Sequence, residues 1–291
     1  MRRLSCVAVM LAVGAGLLSL AGGQTVPASD PAASQPGAAT KPVEQPAEFT
    51  ALAKKAARLP GLNLKGATGM LKDEKEVAAA DVARDGVEFE IWATPKTSRI
   101  TVLLPKEQAV AVSDGEFAYS IAERAGQMVG YRRRITAANY YHAMPLASAA
   151  MDALNGYANL AASVRFVPDN PDRRFAGLGN LKWFRLDPVT TPRHHLLMGV
   201  RSVRVALSPV DGVIRVMLAE MEVLDKPSRD SVVLMETVKV APIAPGELLL
   251  PARAAELKWK DMDAAQAIPP PEMSSSGSSD SRRSGPPVAA R

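Results

Sequence analysis

The chain of 291 residues carries 35 basic and 30 acidic side chains, which gives it a formal net charge of +5. This mild charge argues against a nucleic-acid partner, because the densest basic stretch, the arginines at 132–134, has few aromatic neighbours and belongs to no recognisable module. The single cysteine, Cys6, excludes a disulfide framework.

The N-terminus predicts export. Arg2 and Arg3 precede an apolar stretch at 7–20, and small residues follow at 21–23. This is the pattern of a cleaved secretory signal, whereas a membrane anchor needs about 20 apolar residues. We expect a signal peptide at 1–23 and a soluble periplasmic product without cysteine.

Composition divides the rest of the chain into three parts. Residues 24–46 are rich in Ala, Pro and Ser, and residues 269–291 are rich in Ser and Pro. Neither stretch carries enough apolar side chains to offset the entropy of ordering it. We therefore expect a disordered tether at 24–46, one folded domain at 47–268, and a disordered tail at 269–291.

The first half of the domain predicts a helix followed by short strands. Apolar residues fall at helical spacing in 48–59, and Pro60-Gly61 ends that element. Alternation of apolar and polar residues then predicts antiparallel strands. These strands are expected around residues 87–91, 100–104, 110–112 and 117–121. An Ala-rich helical stretch within 137–162 should be broken in two by Pro145.

The second half predicts further strands at 164–167, 182–187, 200–207, 213–224 and 231–240. Asp211-Gly212 indicates a hairpin turn between two of them. V-I-R-V-M-L at 213–218 and V-V-L-M at 232–235 are apolar on both faces, so both faces of the sheet must be covered. The predicted fold class is mainly β, of α+β type: a curled antiparallel sheet, or incomplete β-barrel, with helices on its concave face.

Candidate catalytic and metal-binding residues are few. His194 and His195 would point to opposite faces of a strand, and His142 has no carboxylate within four residues. We therefore expect no metal and no cofactor. Glu220 and Glu222 would share one strand face about 7 Å apart, a separation that glycosidases use, and they leave a hydrolase as an alternative.

A motif of two prolines around a bulky residue precedes a tight turn. Pro95, Ile100 and Pro105 are followed by V-S-D-G at 112–115, and this order resembles the strand pair of the outer-membrane lipoprotein carriers, the LolA family. F-R-L-D-P at 184–188 is similar to the family's F-x-L-x-P. The hairpin within 203–216 is also similar to one in the family, and the short matches are scattered across 48–257.

The resemblance implies an apolar cavity that holds the acyl chains of a lipoprotein. The carrier would be a monomer, would catalyse no reaction, and would pass its cargo from an inner-membrane exporter to an outer-membrane acceptor. Six residues on neighbouring strands are expected to line the cavity: Ile100, Val102, Leu104, Phe117, Tyr119 and Ile121. The alternative is that they form a solid core, because protein cores are normally filled.

Two positions depart from the family's pattern. Thr94 stands where the family commonly has an arginine that holds down the lid helix, and Ile100 replaces the usual tryptophan. A lipoprotein-sensing regulator of similar fold, which controls a membrane partner, is the remaining alternative.

Overall fold

The computed structural model describes residues 43–71, 77, 81–82, 86–103, 108–124, 127–135, 145–188, 200–223 and 226–261. The predicted signal peptide at 1–23, most of the tether and the tail at 269–291 lie outside these residues. So do Leu104, Pro105 and all three histidines.

The described residues form one sheet of twelve strands. In chain order the strands are β1 Leu62–Met70, β2 Val87–Ala93, β3 Ser98–Leu103, β4 Gln108–Ser113, β5 Phe117–Arg124, β6 Gln127–Arg134, β7 Val164–Pro168, β8 Lys182–Pro188, β9 Val200–Leu207, β10 Ile214–Val223, β11 Lys226–Val240 and β12 Trp259–Asp261. Their order across the sheet is β12-β6-β5-β4-β3-β2-β1-β11-β10-β9-β8-β7. Neighbouring strands are antiparallel except β12 and β6, which run parallel. The predicted antiparallel sheet is confirmed.

Three helices accompany the sheet in the described part: α1 Ala47–Ala56, α2 Pro145–Leu154 and α3 Ala158–Ser163. α2 begins at Pro145, and proline is well tolerated in the first turn of a helix, where its missing N–H leaves no bond unmade. Residues 136–144, which precede the predicted break at Pro145, lie outside the described residues, so that break stays a prediction. A further break lies between α2 and α3, where Gly156 and Tyr157 have left-handed φ values of 66° and 58°.

The face that carries the three helices, called the inner face here, holds the larger core. Its densest part lies under α1, where the ring of Phe49 stacks on Phe166 with the centroids 3.6 Å apart. Phe184 meets Phe49 edge-on at 5.9 Å. Met217 and Val233 extend this core along β10 and β11.

The opposite, outer face carries a second core. Val216 and Leu218 pack there with Trp183 and with Phe175, which belongs to a 3₁₀ turn at Arg173–Leu178. Successive residues of β10 therefore alternate between two cores. The prediction that both faces of the sheet are covered is confirmed, although the outer face is covered by irregular segments.

Gln45 lies within the predicted tether, 24–46, and makes hydrogen bonds to the folded domain. Gln45 Nε2 donates to the carbonyl oxygens of Ala161 and Val164 at 3.0 and 2.7 Å, and its Oε1 accepts the Phe166 N–H at 3.0 Å. The side-chain amide thus takes the place of a further strand along the edge of β7. Gln45, which lies within the predicted tether, thus contacts the folded domain, and the domain bounds stay a prediction.

The β9–β10 turn is fixed to the helices by one buried hydroxyl. Gly212 has a left-handed φ of 74°, which confirms the predicted Asp211-Gly212 hairpin. The Tyr157 hydroxyl donates to the Gly212 carbonyl oxygen at 2.9 Å and accepts the Ile214 N–H at 3.1 Å. Burial raises the pKa of Tyr157, so it stays a neutral donor throughout the physiological range.

We expect Tyr157→Phe to lower the free energy of unfolding by about 1–3 kcal/mol, because two buried backbone groups lose their partner. Urea unfolding followed by circular dichroism measures this. Tyr131→Phe is the control, since Tyr131 is only half-buried on β6, and it should change stability by less than about 0.5 kcal/mol. Equal losses in both variants would contradict the assigned role.

Candidate functional site

The register of the sheet decides which predicted site residues face the helices. Directly paired residues of neighbouring strands project from the same face. Ile91 pairs with Ile100, Ile100 with Ala111, and Ala111 with Ser120. Because Ile91 and Ile100 belong to the core beneath the helices, this row lies on the inner face. Val102 follows Ile100 on the same face and packs partly buried against that core.

The next row belongs to the outer face. Tyr119 pairs with Val112, and Val112 pairs with Arg99, which is one residue away from Ile100. Phe117 and Ile121 lie two residues from Tyr119 on the same strand and therefore share its face.

The prediction that the six residues line one cavity is therefore wrong for half of them. Ile100 and Val102 lie on the inner face, whereas Phe117, Tyr119 and Ile121 lie on the outer face. Leu104 is outside the described residues.

Small side chains occupy the inner face next to Ile100. They are Ala109 and Ala111 on β4 and Ala118 and Ser120 on β5, and together with Val102 they are called the trough here. Ile91, under α2, is 0% exposed, whereas four of the five trough residues, all except Ala118, are partly exposed. α2 lies mainly against β2 and β3, beside the trough. The result is a partly open surface of small, mostly apolar side chains, bordered by α2 on one side and by Tyr131 and Arg133 of β6 on the other.

The side chains of α2 are almost entirely apolar and small. Its sequence, P-L-A-S-A-A-M-D-A-L, has one charged residue, Asp152, which is 0% exposed. The Asp152 carboxylate accepts the N–H groups of Asn159 and Leu160, each at 3.0 Å. It therefore caps the start of α3, and no charge of α2 projects towards solvent over the trough.

The far end of α2 is tied to the β2–β3 turn. Asn155 Nδ2 donates to the Pro95 carbonyl oxygen at 2.9 Å. Thr94 Oγ1 lies 2.8 Å from Thr97 Oγ1 and accepts the Thr97 N–H at 3.0 Å, so this side chain closes its own turn. Asn155, which the sequence did not single out, thus makes a helix-to-turn contact where the family resemblance suggested an arginine at position 94.

The carboxylates of the hydrolase alternative lie elsewhere. Glu220 pairs with Ser202 and Asp230, and it accepts a hydrogen bond from the Ser202 hydroxyl at 3.1 Å. This row faces outwards, away from the trough, while the Glu222 side chain is outside the described part. Among the described residues no group of three metal-binding side chains comes together.

The trough residues on β4 and β5 were missed because they are small. The V-S-D-G turn could have indicated their position, because it fixes the register of β4 against β5. In this turn Asp114 Oδ1 accepts the N–H groups of Glu116 and Phe117 at 2.8 and 2.7 Å. Gly115 has a φ of 95° there. A turn of this length pairs Ser113 with Ala118, and that register places the bulky residues of both strands together on the other face.

Comparisons with known proteins find similarity to solved structures. No protein-family model and no curated protein sequence matches it. It is similar to MucB, at 13% identity over 70% of this chain and 62% of that one, with a TM-score of 0.34. The corresponding values for the Pseudomonas aeruginosa MucA/MucB complex are 13%, 70% and 60%, with a TM-score of 0.38. The chain thus spans less than two thirds of the length of these relatives.

A LolA superfamily protein from Nitrosomonas europaea is also similar, at 8% identity over 69% of this chain and 97% of that one, with a TM-score of 0.34. The family that the sequence motifs resemble is therefore among the matched structures. Within the described residues, no helix has both the length and the hydropathy that crossing a bilayer demands.

Proposed function

We propose that the protein is a periplasmic carrier that binds the acyl chains of lipoproteins, or of a similar amphiphile, in the trough beside α2. The observation that supports it most is the contrast on one sheet face. The inner face is closed and aromatic under α1, but it carries small, partly exposed side chains without charge at Ala109, Ala111 and Ser120. A surface of this kind takes up hydrocarbon without needing any charged partner.

The energetic requirement of such a carrier is modest. Each acyl CH₂ that leaves water contributes about 0.8 kcal/mol, so even part of one chain gives a useful affinity. Alanine and serine side chains end close to the backbone and leave depth above the strands for a chain to lie in. α2, uncharged on its surface and attached at its far end through Asn155, borders the trough on the side of β2 and β3.

In this proposal the protein receives its cargo from an inner-membrane exporter, releases it to an outer-membrane acceptor, works as a monomer, and catalyses no reaction. The signal sequence and the carrier-like motifs support the periplasmic assignment. A lipoprotein-sensing regulator would use the same trough. It would differ from a carrier in the partner that the lipid-bound protein contacts.

Filling the trough tests the proposal. We expect Ala111→Trp to weaken binding of a dansyl-labelled fatty acid and of a synthetic triacylated lipopeptide by at least about tenfold, because the indole occupies the space of the chain. Leu103→Trp is the matched control. It adds the same ring on the adjacent strand, but Leu103 lies on the outer face and is 49% exposed.

Circular dichroism and thermal unfolding establish that both variants are folded. The proposal fails if folded Ala111→Trp binds both lipids as tightly as Leu103→Trp does, or if the wild-type protein binds neither.

A further inference from the structure

One end of the sheet carries basic side chains on α1 and on a nearby turn. Lys54, Lys55 and Arg58, in the last turn of α1 and just after it, are exposed. Lys55 and Arg58 lie one and four residues after Lys54, so the three share the face of α1 that is opposite to its buried residues. Lys96, in the β2–β3 turn, is exposed at the same end of the sheet.

The β9–β10 turn lies against the C-terminal half of α1 and adds an apolar side chain to this end. Lys55 Nζ donates to the Pro209 carbonyl oxygen at 2.5 Å, and a Cβ on Gly212 would come within 2.1 Å of the Leu52 carbonyl oxygen. Val210, at the tip of the turn, is 82% exposed. An apolar side chain thus stands beside a cationic helix end. The name basic tip is used here for Lys54, Lys55, Arg58, Lys96 and Val210.

The connection between α2 and α3 joins Lys96 to the rest of the basic tip. Asn155 bonds to the β2–β3 turn, as described above, and a Cβ on the next residue, Gly156, would lie 3.5 Å from the Ala53 carbonyl oxygen of α1. On the other side of Lys96 the acidic β4–β5 turn, 114–116, borders the cationic surface. The basic tip is therefore one continuous surface with a defined limit.

The charges of the basic tip are not neutralised by neighbouring carboxylates. Asp211, next to Val210 in the chain, pairs with Arg215 at 2.5 Å, and Glu48 of α1 pairs with Lys182 at 2.8 Å. Among the residues that the structure describes, none of the four cations of the basic tip forms an ion pair. Cations grouped in this way at one end of a protein attract an anionic partner.

The polar groups of the β9–β10 turn are used inside the turn. Ser208 Oγ accepts the Val210 N–H at 3.2 Å, and Asp211 Oδ1 accepts the Val213 N–H at 2.9 Å. The Tyr157 hydroxyl fixes the turn from beneath. The turn therefore offers a partner an apolar tip of fixed shape rather than directional hydrogen bonds. A layer of equivalent anionic groups above an apolar interior matches such a surface, and an anionic bilayer has this composition.

We propose that the basic tip is a docking surface for an anionic phospholipid bilayer. Its cations lie against the lipid phosphates, and Val210 enters the boundary between headgroups and acyl chains. Attachment of this kind is reversible, because one valine buries much less apolar surface than a lipid anchor does. The basic tip is separate from the trough, so Ala111→Trp, which fills the trough, should bind vesicles as the wild type does.

Co-sedimentation with vesicles, in the absence of fatty acid, tests the proposal on the chain as the cell exports it. We expect binding to vesicles of phosphatidylcholine with about 30% phosphatidylglycerol, but not to vesicles of phosphatidylcholine alone. Binding at about 0.1 M salt should be lost at about 1 M salt, where charges act over only about 3 Å.

Removing two cations should weaken this binding. We expect Lys54→Gln combined with Arg58→Gln to lower the partition onto anionic vesicles by at least about tenfold, since each cation contributes to the attraction. Lys55 is left in place because it holds the β9–β10 turn. Arg165→Gln combined with Lys258→Gln is the matched control, because it removes the same charge from exposed positions outside the basic tip. Thermal unfolding establishes that both variants are folded.

A charge at the apolar tip should also weaken binding. We expect Val210→Asp to lower the partition by at least about tenfold, because the lipid phosphates repel the carboxylate and the apolar insertion is lost. Leu249→Asp is its control, since Leu249 is 63% exposed and lies outside the basic tip.

Several results would overturn the proposal. The wild type could sediment equally with both kinds of vesicle, or with neither. Either variant could bind anionic vesicles as tightly as its control does, which would leave the basic side chains with a role in stability alone. Finally, the protein could bind soluble polyglutamate but not the vesicles, in which case the basic tip recognises an acidic segment of a protein.

Discussion

Phe49→Ala is expected to lower the free energy of unfolding by about 3–5 kcal/mol, the cost of emptying a buried phenylalanine site. Phe49 is 2% exposed and contacts three aromatic rings, those of Phe166, Phe184 and Tyr157, from its place on α1. A ten-residue helix is marginal by itself, so α1 depends on this contact to remain folded on the sheet.

Chemical denaturation measures the change, and hydrogen exchange of the α1 amides shows where it acts. Leu249→Ala is the control. It also shortens an apolar side chain, but Leu249 is 63% exposed, so its effect should stay below about 0.5 kcal/mol. A loss below about 1 kcal/mol for Phe49→Ala would contradict the packing of α1 described above.

Most of the sheet could be predicted because strand periodicity is a local signal. Three strands, β1, β6 and β12, were not among the predicted ones. β1 reads L-N-L-K-G-A-T-G-M, and two glycines weaken its pattern. The register shifts between Lys65 and Gly66, and a Cβ on Gly66 would lie 2.1 Å from the Leu234 carbonyl oxygen. Position 66 therefore needs glycine because the backbone of β11 lies so close. The β1 sequence by itself does not reveal this requirement.

The lining of the candidate site could be predicted only in part, because alternation marks two faces without saying which one is covered by helices. On β3 the bulky residues Ile100 and Val102 face inwards, whereas on β5 the inward residues are Ala118 and Ser120. Taking the bulkier residues of each strand as the inward ones therefore fails on β5, where the outer face is also covered.

No local sequence pattern predicts β12, which lies over part of that outer face. β12 has three residues, too few for alternation to appear, and it exists through contacts with Gly130 and Tyr119 far away in the chain. The aromatic and aliphatic residues of β5 are therefore explained by a segment more than a hundred residues downstream.

A network of charges fixes the 3₁₀ turn Arg173–Leu178 on the outer face. The Asp172 carboxylate accepts Arg174 Nε and Nη2 at 3.0 and 2.7 Å and Arg204 Nη1 at 3.1 Å. Arg174 also pairs with Asp230 at 2.5 Å, and Arg204 pairs with Asp169 at 2.7 Å. Burial raises the pKa of Asp172, but hydrogen bonds and charge from the arginines outweigh it and hold the pKa below the ordinary 3.8.

Asp172→Asn should therefore destabilise the protein by about 2–3 kcal/mol at pH 7, somewhat less than a fully broken buried pair, because both arginines keep a second carboxylate. The folded pKa of Asp172 is lower than the unfolded one. Its stabilisation is thus fully present above the unfolded pKa and is lost as the pH falls through the folded pKa. The difference in unfolding free energy between wild type and variant should shrink as the pH falls below about 3.8.

Urea unfolding at a series of pH values from 7 to 3 checks this prediction. Asp187→Asn is the matched control, because Arg185 also lowers the pKa of Asp187, but in an ion pair whose side chains are 49% and 43% exposed. Solvent screens such a pair, so this variant should lose less than about 0.5 kcal/mol at any pH. If the Asp172→Asn difference stayed constant down to pH 3, the carboxylate charge would not be what holds the turn on the sheet.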